Sequence, residues 1–349
     1  MKKRSRVFIC VLSAMMMLST AGCGSKSNTA SSVPASTNGA ASSASDYKAT
    51  LKVAYNNTEE YPHYKALAWA AEELESRTDG RIKMQIYPNG TLGDQRASLE
   101  MTQNNSVDMA VVNASIIESF NPDFAILSMP YLFNSTEHQR AVYTSDILDD
   151  LFATVEENGF VIEGAFGSGS RNIFTKKAVR TPEDLKGLKI RVMQSDTMVK
   201  MLELMGGVGV PMSASEQYSA IQQGVVDGAE TNEIDYIGKK FYEIAPYFSR
   251  TAHCFSTDFI VVSPKTLASL PDADRVIFDE VMDGCVEKEF DFWVEMIDEM
   301  VANSEGLGIT FVDDVNTGAF KENFIDFQKE ISGKSDITKK IYEEVNALQ

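Results

Sequence analysis

An α/β fold of two domains, placed behind a processed N-terminal leader, is what the sequence predicts. Short apolar runs with strand periodicity alternate with helical patterns from residue 50 onward. Residues 46–349 are enough for two domains of ordinary size. One helical pattern in the last third is too long to serve a single small domain.

The leader comes first. Lys2, Lys3, Arg4 and Arg6 precede an apolar run, Val7 to Leu18, broken only by Ser13. These twelve residues fall short of the ~20 that span a bilayer, so residues 1–22 read as a signal peptide. Thr20-Ala21-Gly22 lead to Cys23, the small-residue approach of a lipobox, in which the Cys thiol is diacylated before cleavage ahead of it. Thr20 stands where a larger aliphatic residue is usual. The following stretch is rich in Ser, Ala, Thr, Gly and Asn, with little to bury, so residues 23–46 read as a lipid-anchored Cys and a flexible tether.

Removing residues 1–22 deletes four basic and no acidic residues and takes the net charge from −18 to −22. That argues against nucleic acid as a partner and against a polybasic contact with lipid. Of four cysteines, Cys10 falls in the signal and Cys23 takes the lipid. The spacing of Cys254 and Cys285 does not establish a disulfide, and both read as buried free thiols.

The folded part opens as strand Thr50 to Tyr55, amphipathic helix Pro62 to Thr78 and strand Arg81 to Tyr87, ended by a Pro88-Asn89-Gly90 turn. A helix over 94–103 and a strand over 107–112 continue the alternation. The second half predicts strand Phe160 to Phe166, a flexible Gly167-Ser168-Gly169-Ser170 and a helical turn at Thr181-Pro182-Glu183-Asp184. Strand 188–192 and helix 197–205 follow, and Ser213 and Glu216 have capping-box spacing before a helix to Gln223. A helix over 233–244 and a strand over 259–263 come next. Asp274 to Asn303 would span roughly 45 Å as one helix, with acids such as Asp279, Glu287 and Glu289 forming a solvated face. Strand 309–312 and two terminal helices complete the chain.

Little of this carries chemistry. His63, His138 and His253 lack metal-ligand spacing, and no nucleophile elbow or phosphate loop is present. Neither a metal, a cofactor nor an enzymatic activity is expected. Two arginines remain. Arg171 follows the glycine-rich junction, and Arg191 sits between Ile190 and Val192 in an apolar strand. A cation there needs a partner, and a guanidinium fits a carboxylate with two parallel hydrogen bonds. Exposure on the strand's solvent side, or pairing with an internal acid, is the alternative.

These residues carry a resemblance. The run Arg171-Asn172-Ile173-Phe174-Thr175, followed by Thr181 to Val192, is similar to the central motif of the solute-binding proteins of TRAP (tripartite ATP-independent periplasmic) transporters, the DctP-like family. Tyr87 to Gly93, Pro211 to Tyr218 and Gln223 to Glu230 match further blocks in order, so the resemblance covers residues 48–349. It implies a two-domain type II periplasmic-binding-protein-like α/β fold with a long helix spanning both domains. Domain I is expected at 47–168 plus 257–296, and domain II at 169–256 plus 297–349. A hinge motion would close the domains on the ligand, and the closed form would dock on TRAP permease membrane subunits.

The resemblance makes Arg191 the principal carboxylate-binding residue and Arg171 its helper. Thr231 stands where relatives often carry Asn, with Asn232 after it, and either is expected to hydrogen-bond the ligand. Ala214 replaces an aromatic found in some relatives and leaves room for a larger ligand. In the first domain Asn56, Gln95 and Asn113 lie at strand ends or a helix start, where α/β folds gather ligand groups. His63 is expected to add a donor and Tyr236 to line the cleft, with Phe255 and Asp258 near the domain crossover. Neutral amides suit a hydroxyl-rich sugar acid, such as a hexuronate or aldonate, better than a C4-dicarboxylate. The expectation is an extracytoplasmic lipoprotein that binds a small organic acid; the alternative is a ligand-binding partner of a sensory receptor.

Overall fold

The computed structural model describes residues 46–349; the expected signal peptide, Cys23 and the expected tether through residue 45 lie outside the described residues. Strand β1 (Ala49–Ala54) buries Leu51 and Val53 and exposes Thr50 and Lys52, the alternation of a strand with one face on a core. Helix α1 (Pro62–Arg77) begins with proline in its first turn, where no amide hydrogen is missed, and buries Ala66, Leu67, Ala70 and Leu74. β2 (Ile82–Tyr87), α2 (Gln95–Gln103) and β3 (Met109–Asn113) follow, α2 being capped by the Asp94 carboxylate on the Ala97 amide. Short helices α3 (Ala114–Ile117), α4 (Thr136–Tyr143) and α5 (Asp149–Ala153) lead to β4 (Val161–Thr175).

β5 (Lys189–Val192), α6 (Asp196–Leu204), β6 (Val208–Pro211), α7 (Gln217–Gln222), β7 (Gly228–Thr231) and α8 (Glu233–Gly238) form the next run. β8 (Tyr247–Val262), α9 (Pro264–Ser269), α10 (Asp272–Ala302), β9 (Thr310–Val312), α11 (Thr317–Glu322), α12 (Ile325–Ser332) and α13 (Asp336–Ala347) complete the chain. The strands form one sheet in the order β2-β1-β3-β8-β4-β7-β5-β6, with β9 also paired to β8. β1, β2 and β3 are parallel to one another, as are β5, β6 and β7. The two long strands β4 and β8, antiparallel to each other, join these two parallel sets.

The expected flexible stretch at 167–170 is corrected: it lies inside β4. The β4–β8 pairing slips between Gly167 and Ser170, so the segment is a bulged strand and not a loop. Its glycines answer to crowding from α10. A Cβ on Gly167 would lie 2.7 Å from Phe290 Cε1, and one on Gly169, at φ +63°, 2.5 Å from Trp293 Cζ2. The short strands β6 and β7 were not foreseen, because their Gly and Pro mark turns in sequence. The helix expected over 233–244 stops at Gly238, and Lys240 adopts a left-handed φ of +56°. Three terminal helices replace the expected two.

α10 is the long helix anticipated. Its first half lies along α1, with Trp69 against Gly284 and Arg77 paired to Glu280, and its last turns reach α8, where Met300 touches Gly238. Gly284 is therefore a clearance for an indole ring; a Cβ there would sit 2.6 Å from Trp69 Cη2. The solvated-face expectation fails at one position. Glu289 is fully buried, because it pairs with His63 from α1.

The C-terminal helices, assigned beforehand to domain II, are tied to residues 122–138 of the domain I stretch. Gln328 donates to the Pro130 carbonyl, Ser335 to Asp123, and His138 Nε2 lies 2.9 Å from the Val345 carbonyl. Cys254 and Cys285 are buried free thiols, as expected.

Candidate functional site

A cavity of about 500 Å³ opens where β1, β3, β5, β6 and β7 end, the side of an α/β sheet on which ligand groups gather. Its wall comes from both parallel sets and from the β4–β8 pair between them. Arg191, Arg171, Thr231, Asn232, Asn56, Gln95, Asn113 and Ala214 all line it.

Arg191 projects from β5 and is 4 % exposed. Its Nε and Nη2 both donate to the Met212 carbonyl, at 3.1 and 2.8 Å, and no carboxylate pairs with it among the described residues. Burial lowers its pKa to about 10, helped by the nearby Arg171 charge and opposed by Glu230. The fold thus holds one desolvated guanidinium open to the cavity without an internal counter-ion.

Arg171 is different. Its Nη2 donates to Glu230 Oε1 and to the Glu230 carbonyl, each at 2.8 Å, and its Nε to Glu230 Oε2. Burial works against the charge, but Glu230 outweighs it and holds the guanidinium above its ordinary value. On the other side, burial would raise Glu230, yet Arg171 and His253 bring it to about 2. His253 Nε2 stands 3.7 Å from Glu230, an electrostatic contact too long for a hydrogen bond. Of the two alternatives open in sequence, pairing with an internal acid describes Arg171. Only Nη1 remains uncommitted.

The amides divide in the same way. Asn113 is consumed: Nδ2 serves Ser256, the Thr257 carbonyl and Asp258, and Oδ1 caps α3 through the Ser115 amide. Asn232 caps α8 through Asp235 N and donates to the Ser168 carbonyl and Tyr61 Oη. Asn56 donates to the Gly93 carbonyl at 2.8 Å, which fixes its orientation and leaves a buried Oδ1 without a partner. Gln95 Oε1 accepts from the Asn113 amide. Thr231 makes a 3.3 Å hydrogen bond to Asp235. Ala214 sits in a turn whose first residue, Ser213, is held by Glu216.

Three expectations are corrected. Tyr236 is fully buried between Phe174 and Phe248, and its hydroxyl donates to the Ala245 carbonyl. Its ring completes the core behind the wall. His63 is 1 % exposed, stacked on Phe166 and 3.3 Å from both Glu289 and Ser168. It stands behind Ser168. The Glu289 carboxyl outweighs burial and holds the ring above its ordinary pKa. Phe255 likewise is core and not wall.

Sequence reasoning passed over other cavity residues. Gln217, 4 % exposed, has a buried Nε2 without a partner. Lys239, just past the end of α8, reaches Asn57 Oδ1, 3.1 Å away, while pairing with Asp235 at 2.8 Å. Arg96, beside Gln95, lines the mouth. Asp258, weighed beforehand with Phe255 as a cleft residue near the crossover, does join the wall, from β8. An acid before Phe259-Ile260-Val261-Val262 carries the same signal that singled out Arg191.

The chain matches the sequence model of the bacterial extracellular solute-binding proteins, family 7, over residues 53–334. YiiZ of Salmonella typhimurium is 34 % identical over 251 residues, 71 % of this chain and 76 % of that one. A TRAP periplasmic solute-binding protein from Anaerococcus prevotii, solved with bound α/β D-glucuronate, superposes with a TM-score of 0.83 at 31 % identity, covering 86 % of this chain and 98 % of that one. Another, from a Bradyrhizobium species and in complex with α/β D-galacturonate, gives a TM-score of 0.82 at 28 % identity over 86 % of this chain and all of its own.

Proposed function

The chain belongs to the bacterial extracellular solute-binding proteins of family 7, and from that premise we propose that it captures a sugar acid for a TRAP-type permease. The single observation that carries the ligand class is Arg191, a buried guanidinium on the cavity without an internal counter-ion. An anion from solution supplies the partner that the fold withholds. The rest of the wall favours hydroxyls over a second anion: Asn56 Oδ1 is a fixed acceptor and Gln217 Nε2 an unpartnered donor, and a hydroxyl satisfies either. The uronates bound to the two structural relatives are of this class.

In this reading Arg191 holds the carboxylate, and Arg171 contributes one nitrogen from a position braced by Glu230. The pairing slips in β4 and β8 near residues 167–173 supply the hinge between the lobes. No catalytic step is assigned; the protein binds, closes and hands over. Isothermal titration of the full chain against hexuronates, aldonates and C4-dicarboxylates is expected to show binding of a sugar acid with a dissociation constant roughly in the micromolar range or below. Binding confined to C4-dicarboxylates would overturn the ligand class.

The leader adds a place. Residues 1–22 direct export, and lipid on Cys23 holds the protein at the outer face of the cell membrane through the stretch ahead of Asp46. Cell fractionation tests this: the wild type is expected in the membrane fraction, and Cys23→Ser in the soluble extracytoplasmic fraction. An unchanged distribution would remove the anchor.

A further inference from the structure

Asp258 carries a negative charge into the wall of a cavity read above as an anion site, and it is 8 % exposed. Among the described residues no Lys or Arg pairs with it, and its partners are neutral: Asn113 Nδ2 donates to Oδ1 at 3.1 Å, and the Ser168 hydroxyl donates to Oδ2. We propose that Asp258 sets the specificity of the site, accepting a hydroxyl at the end of the ligand away from Arg191 and rejecting a second carboxylate there. The inference rests on the sugar-acid reading and sharpens it, from sugar acids in general to monoacids.

Topology separates the two charges. Asp258 pairs with Asn113 of β3 and Phe166 of β4, whereas Arg191 belongs to β5 beside β6 and β7. Two strands, β4 and β7, lie between β8 and β5 in the sheet. A ligand whose carboxylate sits on Arg191 therefore presents its other end toward β8. A carboxylate has about four lone-pair positions, and two are taken here, so room remains for a donor.

The acid is also held still. Ser168 Oγ, which donates to Asp258, lies 3.3 Å from His63 Nε2. That ring is 3.3 Å from Glu289 of α10, whose other oxygen accepts from the Gly167 amide at 3.2 Å. This chain, closed to solvent, fixes the serine and through it the carboxylate. Behind Asp258 it places the paired His63 and Glu289 and no Lys or Arg. Arg171, on β4 beside β8, is committed to Glu230, and the remaining cations of the cavity, Arg96 on α2 and Lys239 just past α8, are not carried by β3, β4 or β8. A ligand carboxylate at Asp258 meets like charge in a desolvated place, while a hydroxyl meets an acceptor.

D-Glucuronate and D-glucarate separate these outcomes, since at the end away from the shared carboxylate the first carries a hemiacetal hydroxyl and the second a carboxylate. Titration of the full chain is expected to give at least about tenfold tighter binding of glucuronate. Asp258→Asn is expected to weaken glucuronate about ten- to a hundredfold and to narrow or reverse the preference. A wild type that binds glucarate as tightly as glucuronate overturns the inference and leaves the sugar-acid reading in place. An Asp258→Asn variant with unchanged affinity and unchanged ratio also overturns it. A wild type that binds neither these acids nor galacturonate overturns the reading and the inference together. Thermal melting checks that the variant folds; Asp258→Ser replaces it if it does not, and the wild-type ratio stands without any variant.

Discussion

Arg191→Ala is expected to weaken sugar-acid binding strongly while leaving the ligand-free protein at least as stable as the wild type. The two halves of the result have one cause. Truncating one member of a buried, hydrogen-bonded charge pair costs about 2–5 kcal/mol of affinity, a loss of roughly thirty- to several-thousandfold. In the empty protein, however, the guanidinium is desolvated with only the Met212 carbonyl for a partner. Its pKa of about 10, below the ordinary arginine value, means that folding disfavours the charged form. That penalty is present in full at neutral pH and is relieved only as pH rises through about 10. Alanine removes it. Melting curves with and without ligand read both effects: the wild type gains stability from saturating ligand and the variant does not. A variant that still binds with wild-type affinity would overturn the carboxylate assignment. Arg191→Lys is expected to fall between, because an ammonium keeps the charge and loses the planar pair of donors.

The fold was legible where residues repeat with a period. β1, α1, β2 and α10 stand within a few residues of expectation because each has a regular apolar face. The alternation also placed Asn56, Gln95 and Asn113 at ends of elements on one side of the sheet, the family resemblance added Thr231 and Asn232, and all five reach the cavity wall. What the pattern could not disclose was long-range. Gly167-Ser168-Gly169-Ser170 has the composition of a loop; only the approach of Phe290 and Trp293 from α10, more than a hundred residues on, shows why it is strand. Glu289 looks like its exposed neighbours until His63 arrives from α1. A polar residue at a strand end can cap a helix or face a ligand with equal ease. Asn232 and Asn113 proved fully engaged within the protein, whereas Asn56 keeps a buried Oδ1 without a partner.

The same distinction separates the two arginines, and it predicts opposite behaviour for them. Arg191 has no counter-ion, so its loss is felt when ligand is present. Arg171 has Glu230, so the loss of that acid is felt in the empty protein. Glu230→Gln is therefore expected to destabilise the fold by about 3–5 kcal/mol, since it leaves a buried guanidinium uncompensated beside a second one. Burial alone would raise the Glu230 carboxyl; Arg171, with His253, brings it instead to about 2. Because the folded value lies below the ordinary carboxylate value, the stabilisation is present in full above that ordinary value, near pH 4.3, and is lost as pH falls through about 2. Urea denaturation of the wild type should thus weaken between those limits, and the Gln variant should lose that part of its acid dependence. Arg171→Met combined with Glu230→Leu, which removes both charges and fills their volume, is expected to recover most of the stability lost by Glu230→Gln. Recovery would show that the cost came from an orphaned charge. If the double variant were as unstable as the single, the pair would be contributing through packing around β4 and β7, and the charge argument for Arg171 would fall.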